Sequence, residues 1–129
     1  MLKQTAHDLV AAAKAQIQEC SLPQAQQLLA AGQSLLLDVR EPEEFAAGHL
    51  AGALNIPRGL LEFRLSGDPA LAEVGRTVLL YCKSSGRAAL AARVMQEMGY
   101  QDVVSIAGGF DAWLAAGMPV EKPRPLGFD

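Results

Sequence analysis

Short hydrophobic runs alternate with helical patterns along most of the chain. Four runs are almost wholly apolar and are typical of strands buried on both faces: 34–39, 52–57, 77–82 and 102–107. Around them, apolar residues three or four positions apart and capping residues predict helices: 5–19, 22–30, a short one from 42 that ends at Gly48, 58–65, 86–98 and 109–116. This alternation implies an α/β fold with a mostly parallel sheet covered on both faces.

Composition and charge exclude several classes of protein. A length of 129 residues suits one domain, and a net charge of −3 argues against nucleic acid as the main partner. Cys20 and Cys82 lie far apart without metal-ligand spacing, which disfavours a disulfide scaffold or a zinc site. No apolar run approaches the ~20 residues of a membrane span, and the charged N-terminal segment lacks the apolar core of a secretory signal. We expect a soluble cytoplasmic protein that binds neither membrane nor metal.

A single cysteine stands at the end of the run 77–82. After Cys82, five residues lead into the next predicted helix: Lys83, Ser84, Ser85, Gly86 and Arg87. Ligands of parallel sheets bind beyond the carboxyl ends of the strands, where such loops gather. Small residues let successive N–H groups point inward as an anion-binding nest, and the helix N-terminus adds donors. With two flanking cations, this setting stabilises a thiolate and predicts an activated nucleophile at Cys82.

Two classes of reaction use a cysteine in such a loop, and a buried structural cysteine is the ordinary alternative. The thiolate can attack a phosphate ester to form a phosphocysteine, or it can take a sulfane sulfur to form a persulfide. Phosphate brings four oxygens and needs a wider cradle, whereas a persulfide adds one anionic sulfur. The coincidence of strand end, Gly/Ser loop, flanking cations and helix start favours a functional thiolate over a structural one.

Three segments together resemble the rhodanese family of single-domain sulfurtransferases. They occur in the family's order and cover most of residues 21–121: LLLDVREPEEFAAGHLAGALNIP (35–57), YCKSSGRA (81–88) and GGFDAWLAAGMPV (108–120). The resemblance implies a rhodanese-like three-layer sandwich with a short, mostly parallel central sheet and helices on both faces. It divides the chain into an N-terminal helical extension (1–20), a rhodanese domain (21–121) and a flexible C-terminal tail (122–129).

The same resemblance implies a reaction of two displacements at Cys82. The thiolate takes the sulfane sulfur of a small anionic donor such as thiosulfate, and cyanide, a thiol or a protein thiol then removes it. The loop amides from Lys83 to Arg87 would hold the persulfide, while the side chains of Lys83 and Arg87 would steer the donor. No metal or organic cofactor is implied. Ala88 follows the arginine where one common family form has serine, so one possible hydroxyl donor is missing.

Loop length separates sulfur transfer from phosphate chemistry in this comparison. Four residues separate Cys82 from Arg87, which makes a six-residue loop. In the family, such loops go with sulfur transfer, and loops one residue longer go with phosphatase or arsenate reductase activity. Tyrosine phosphatases separate Cys and Arg by five residues. The length favours a sulfurtransferase, with two alternatives left open: a cysteine-dependent phosphatase or arsenate reductase, and a sulfur-carrier or regulatory module without turnover.

Other residues of chemical interest have simpler structural interpretations. In the D-x-R motif, we expect Asp38 to bond neighbouring backbone and Arg40 to pair with an acid, with donor binding by Arg40 as the alternative. His49 is expected to be a hydrogen-bonded turn histidine rather than a general base. Cys20 fits packing better than a role in resolving a persulfide on Cys82.

The aromatic and acidic residues near these motifs are also interpreted structurally. Phe110 and Trp113 stand at helical spacing and are expected in the core. The acidic run of Glu41, Glu43 and Glu44 suits a helix N-terminus with solvated charge rather than a metal site. The N-terminal helix carries an apolar stripe that could pack on the domain, on a partner or on a second copy of the chain, and the sequence leaves these three open.

Overall fold

Helices and parallel strands alternate along the chain in the computed structural model, which describes residues 1–123. In this range the elements are α1 (Ala6–Lys14), β1 (Gln18–Cys20), α2 (Leu22–Ala31), β2 (Leu35–Asp38), α3 (Pro42–Ala47), β3 (Leu54–Asn55), α4 (Leu61–Gly67), β4 (Val78–Tyr81), α5 (Gly86–Met98), β5 (Val103–Ile106) and α6 (Gly109–Ala115). Two 3-10 helices, Arg58–Leu60 and Pro69–Leu71, flank α4. None of the helices in residues 1–123 has the length and apolar character that crossing a membrane requires.

The five strands form one sheet in the order β1-β5-β4-β2-β3, and every neighbouring pair is parallel. Strand β4 lies at the centre, with Leu80 opposite Leu37 of β2 and Ser105 of β5. All four of its residues are buried, as a strand covered on both faces requires. The predicted α/β fold with a parallel sheet is confirmed.

Successive residues of β4 enter two separate apolar layers, because side chains alternate across a strand. Leu80 and Cys82 belong to the layer that packs against α4 and α5, whereas Leu79 and Tyr81 belong to the layer against α2 and α6. The molecule is therefore a three-layer sandwich, as predicted. Cys82 lies on the face that α5 covers.

The prediction of one helix over 5–19 is wrong in its last third. Helix α1 ends at Lys14, and residues 18–20 form the edge strand β1 instead. Gln18 lies opposite Val104 and Cys20 opposite Ile106, so the sheet edge supplies the main-chain partners that a longer helix would have supplied. The division of the chain at residues 20 and 21 stays a prediction. The tail predicted over 122–129 lies outside the described residues from 124 onwards.

Candidate active site

Cys82 follows β4 directly and begins the six-residue cysteine loop (82–87), whose last two residues are the first two of α5. The run Val78–Tyr81 is wholly buried at the centre of the sheet, so it fixes where the cysteine emerges. Cys82 itself is only 1% exposed. The cysteine thus sits at the carboxyl end of the central strand, where open parallel sheets bind ligands.

The first carbonyls of the loop point toward α6. The Phe110 N–H donates to the carbonyl oxygen of Cys82 (2.8 Å), and the Asp111 N–H donates to that of Lys83 (2.9 Å). In a trans peptide the N–H points opposite to the C=O, and no described peptide bond is cis. The N–H groups of Lys83 and Ser84 are therefore turned away from α6, an orientation compatible with the predicted anion nest.

Gly109 allows α6 to approach the loop this closely. Its φ is +58°, and a Cβ at this position would lie 2.5 Å from the carbonyl oxygens of both Cys82 and Ser84. A side chain would meet backbone there rather than a flexible neighbour, so only glycine fits. The segment Gly108–Phe110 therefore packs directly against the backbone of residues 82–84.

The start of α5 is left open toward the loop. Ser85 occupies the N-cap position, but its side chain makes no capping hydrogen bond. Within residues 1–123, the backbone N–H groups of residues 83–88 donate to no protein acceptor. A helix N-terminus whose donors have no protein partner carries partial positive charge and suits an anion. The loop can therefore stabilise negative charge on a sulfur atom at Cys82.

The two cations of the loop are each held by a carboxylate. The two terminal nitrogens of Arg87 donate to both carboxylate oxygens of Glu44 at 2.7 and 3.0 Å. These hydrogen bonds lower the pKa of Glu44 from 4.5 to about 2. The Lys83 Nζ lies 2.8 Å from the Asp111 carboxylate, and both side chains are more than half exposed. The two side chains that were predicted to steer an anionic sulfur donor, Lys83 and Arg87, are thus each already paired with a carboxylate.

Glu44 is one residue of this site that sequence reasoning missed. The expectation of solvated charge is wrong for this member of the acidic run, because its carboxylate binds Arg87. The topology contained the signal: α3 follows β2, and β2 neighbours β4, so the start of α3 reaches the same sheet edge as the cysteine loop. Knowledge of the strand order, in addition to the sequence, would have placed Glu44 near Arg87.

Asp38 and Arg40 form a closed network beneath the site. Asp38 accepts hydrogen bonds from the backbone N–H and the guanidinium of Arg40, and from the Tyr81 hydroxyl at 2.7 Å. Arg40 also donates to the carbonyl oxygen of Gly48, and its guanidinium lies 4.2 Å above the Phe110 ring. Burial raises the pKa of the Tyr81 hydroxyl, which keeps it a donor. The predicted contacts, of Asp38 with neighbouring backbone and of Arg40 with an acid, are confirmed.

His49 and the aromatic residues of α6 also take the predicted structural places. The His49 Nδ1 lies 2.8 Å from the Leu50 carbonyl oxygen, and its ring stacks on Phe45 at 3.8 Å. Trp113 is 4% exposed, and Phe110 packs against the same apolar layer.

Cys20 lies away from the cysteine loop. Its side chain belongs to the layer against α2 and α6, whereas Cys82 belongs to the layer against α4 and α5. The sheet separates the two thiols, because they project from opposite faces. Burial raises the pKa of the Cys20 thiol. Packing, as predicted, accounts for Cys20.

Comparison with known proteins identifies the family. The rhodanese-like domain model matches residues 21–116. A sulfurtransferase of Allochromatium vinosum is 36% identical over 90 residues, which cover 70% of this chain and 80% of that protein. The human thiosulfate:glutathione sulfurtransferase is 35% identical, with 73% of this chain and 90% of that protein covered.

A solved structure extends the similarity to nearly the whole chain. The structure is a Rhodopseudomonas palustris protein of unknown function, called a possible tyrosine phosphatase, and it is 30% identical with a TM-score of 0.87. The alignment covers 94% of this chain and 97% of that one. The domain match and the sulfurtransferase relatives agree with the strand–cysteine–helix arrangement described above. The chain belongs to the rhodanese family.

Proposed function

We propose that this protein is a sulfurtransferase that carries sulfane sulfur as a persulfide on Cys82. The observation that carries the proposal is the loop 82–87, whose first carbonyls are bonded outward to α6 while the start of α5 is left uncapped. This arrangement offers amides to an anionic sulfur. The human relative's name, which specifies thiosulfate and glutathione, supports a small anionic donor and a thiol acceptor. Cyanide and a protein thiol are further proposed acceptors, and the cytoplasm is the proposed location.

The proposed reaction balances without an external oxidant or a cofactor. The Cys82 thiolate attacks the outer sulfur of thiosulfate, a new S–S bond forms, and sulfite leaves with the electron pair of the old one. In the second step, an acceptor thiolate or cyanide attacks the terminal sulfur of Cys82-S-S⁻. The Cys82 thiolate leaves and is restored, and the acceptor becomes a persulfide or thiocyanate. The backbone amides from Lys83 to Arg87 would hold the terminal sulfur between the two steps.

A cysteine phosphatase is the second candidate, because the R. palustris structure is called a possible tyrosine phosphatase. Two observations favour sulfur transfer over it. The loop from Cys82 to Arg87 has six residues. The guanidinium of Arg87 also already binds both oxygens of Glu44, so these nitrogens are not presented to a phosphoryl group.

Intact-protein mass measurement after incubation with thiosulfate tests the proposal. The full chain and Cys20→Ser should gain the mass of one sulfur atom and lose it on addition of cyanide, with thiocyanate released. Cys82→Ser should gain nothing. An unchanged mass of the full chain with thiosulfate and with an organic persulfide would overturn the proposal. Hydrolysis of an aryl phosphate that depends on Cys82 would instead support the phosphatase.

The same preparation separates an enzyme from a sulfur carrier. An enzyme should pass its sulfur to cyanide or glutathione in many turnovers. A carrier should load normally but release sulfur to these small acceptors only slowly, which would replace the proposed turnover with transfer to a partner protein. The ratio of thiocyanate formed to protein present distinguishes the two.

A further inference from the structure

The N-terminal helix lies directly against the cysteine loop. Helix α1 packs along α5, and the Val10 side chain lies 3.5 Å from the position that a Cβ on Gly86 would occupy. At the end of α1, the Lys14 Nζ lies 2.7 Å from the Ser85 hydroxyl oxygen. Ser85 is part of the loop predicted to bind substrate. A segment expected to be an extension therefore contributes a side chain to the site.

The Ser85 hydroxyl is bonded to Lys14 and makes no capping hydrogen bond to α5. Its oxygen accepts from the Lys14 ammonium and from no amide of the first turn of α5. The Ser85 hydroxyl keeps its own proton to donate, and the ammonium keeps two further N–H groups. The pair thus adds donors to the loop rather than satisfying those already there.

Lys14 differs from the two cations of the loop, Lys83 and Arg87, in having no carboxylate partner among residues 1–123. Lys83 is paired with Asp111, and Arg87 is paired with Glu44. Within residues 1–123, no carboxylate lies within 4.0 Å of the Lys14 ammonium. Lys14 is half-buried, which weakens screening by solvent. Of the three cations that belong to the loop or contact it in residues 1–123, Lys14 is therefore the one without a carboxylate partner.

We propose that Lys14 is an anion-binding residue of the active site, which attracts and orients an anionic sulfur donor through its charge. The identity of that donor rests on the proposed function, but the effect of the Lys14 charge on reactions at Cys82 is testable without it. The R. palustris structure, which aligns with 94% of this chain, supports the view that the sequence beyond the rhodanese-like domain match belongs to the same folded unit. Helix α1 then has a specific role in substrate selection.

Alkylation of Cys82 by two reagents of similar size measures the charge directly. Iodoacetate is an anion and iodoacetamide is neutral. The rate of alkylation of Cys82 by iodoacetate, divided by the rate with iodoacetamide, therefore reports the local electrostatic potential. Lys14→Gln should lower this ratio about fivefold, the effect of one unit charge at several ångströms in partly screened surroundings. Lys14→Arg should keep the ratio, and so should Lys3→Gln, a matched loss of an exposed lysine just before α1. A neutral variant that keeps the apolar stem, Lys14→Met, should behave as Lys14→Gln.

The outcomes separate this proposal from the proposed function. A ratio that stays unchanged in the folded neutral variants overturns the role of Lys14, as does an equal slowing of both reagents, which a structural role would produce. With thiosulfate, Lys14→Gln should raise KM about fivefold with little change in kcat, and Lys14→Arg should restore it. A full chain that shows the charge effect but never loads sulfur would overturn the proposed function and leave Lys14 as an anion site.

Discussion

Cys20 and Cys82 stand in similar places along the backbone, yet their surroundings differ. Each is buried, follows or closes a parallel strand, and precedes a helix by a few residues. After Cys20, the Ser21 side chain accepts from the Gln24 amide and the Gln24 side chain accepts from the Ser21 amide, so a complete capping box closes the start of α2. After Cys82, α5 begins without a side-chain cap.

The difference shows that a cysteine at a strand end is not sufficient for a nucleophile. At Cys20, burial raises the pKa of the thiol, and the capping box already uses amides that could face a thiolate. At Cys82, the first two carbonyls of the loop are bonded to α6, and Lys14 contacts the loop at Ser85. The backbone around the thiol, rather than its exposure, distinguishes a candidate catalytic cysteine from a packing cysteine.

Exchange of each cysteine for serine should give opposite results, the largest effect in this comparison. Cys82→Ser should lower thiocyanate formation from thiosulfate and cyanide at least about a thousandfold, because the nucleophile is lost. Cys20→Ser should keep the activity but lose about 1–3 kcal/mol of unfolding free energy, because a hydroxyl replaces a thiol in an apolar layer. Activity assays and urea unfolding measure the two. Equal loss of activity in both variants would remove the distinction.

Adding one methyl group at Gly109 should disturb the Cys82 loop selectively. Gly109→Ala places a Cβ 2.5 Å from two carbonyl oxygens, at a positive φ. It should lower the free energy of unfolding by about 2–4 kcal/mol and abolish sulfur loading on Cys82. The control is Gly32→Ala at the end of α2, where φ is +74° and no atom lies within 4 Å. It should cost only about 1–2 kcal/mol and leave loading intact. Similar losses in both variants would contradict the supporting role of Gly109.

The pairing of Glu44 with Arg87 should give the smallest effect, visible in acid. Because the pKa of Glu44 is lowered from 4.5 to about 2, the pair stabilises the fold above about pH 4.5. This contribution is lost as the pH falls through about 2. At pH 7, Glu44→Gln should lose up to about 1 kcal/mol, since the side chains are about one-third exposed.

The difference between the full chain and Glu44→Gln should shrink when urea unfolding is repeated between pH 4.5 and 2. Glu43→Gln, on the same helix and exposed, serves as the matched control and should not reproduce this dependence. A difference that stays constant over this range would mean that Arg87 does not hold the carboxylate.

Much of the fold could be predicted from sequence because its strands carry local signals. The run 77–82 is apolar throughout, and Gly99 at the end of α5 has the left-handed φ expected of a helix end. Strand β1 has no comparable signal, because three residues at the sheet edge depend on pairing with β5. Local patterns predicted the central elements and missed β1, whose three residues carry no strand pattern of their own.

The candidate site divides in the same way. The position of Cys82 and the loop followed from adjacent residues of one segment. Glu44 and Lys14 reach the loop from 43 and 71 residues away in the chain, so no local pattern could indicate them. The structural roles of Asp38 and Arg40 were predictable because the two residues are nearly adjacent and complementary in charge.

The contacts of the cysteine loop also set when in folding the site can form. Lys14 and Glu44 reach it from earlier in the chain, and Asp111 reaches Lys83 from 28 residues further along. Contacts between distant residues are slow to form, since long loops must close before the contacts stabilise anything. The loop should therefore acquire its final geometry only after α1, α3 and α6 have docked. Recovery of sulfur loading during refolding would then follow completion of the whole sandwich rather than formation of its central strands.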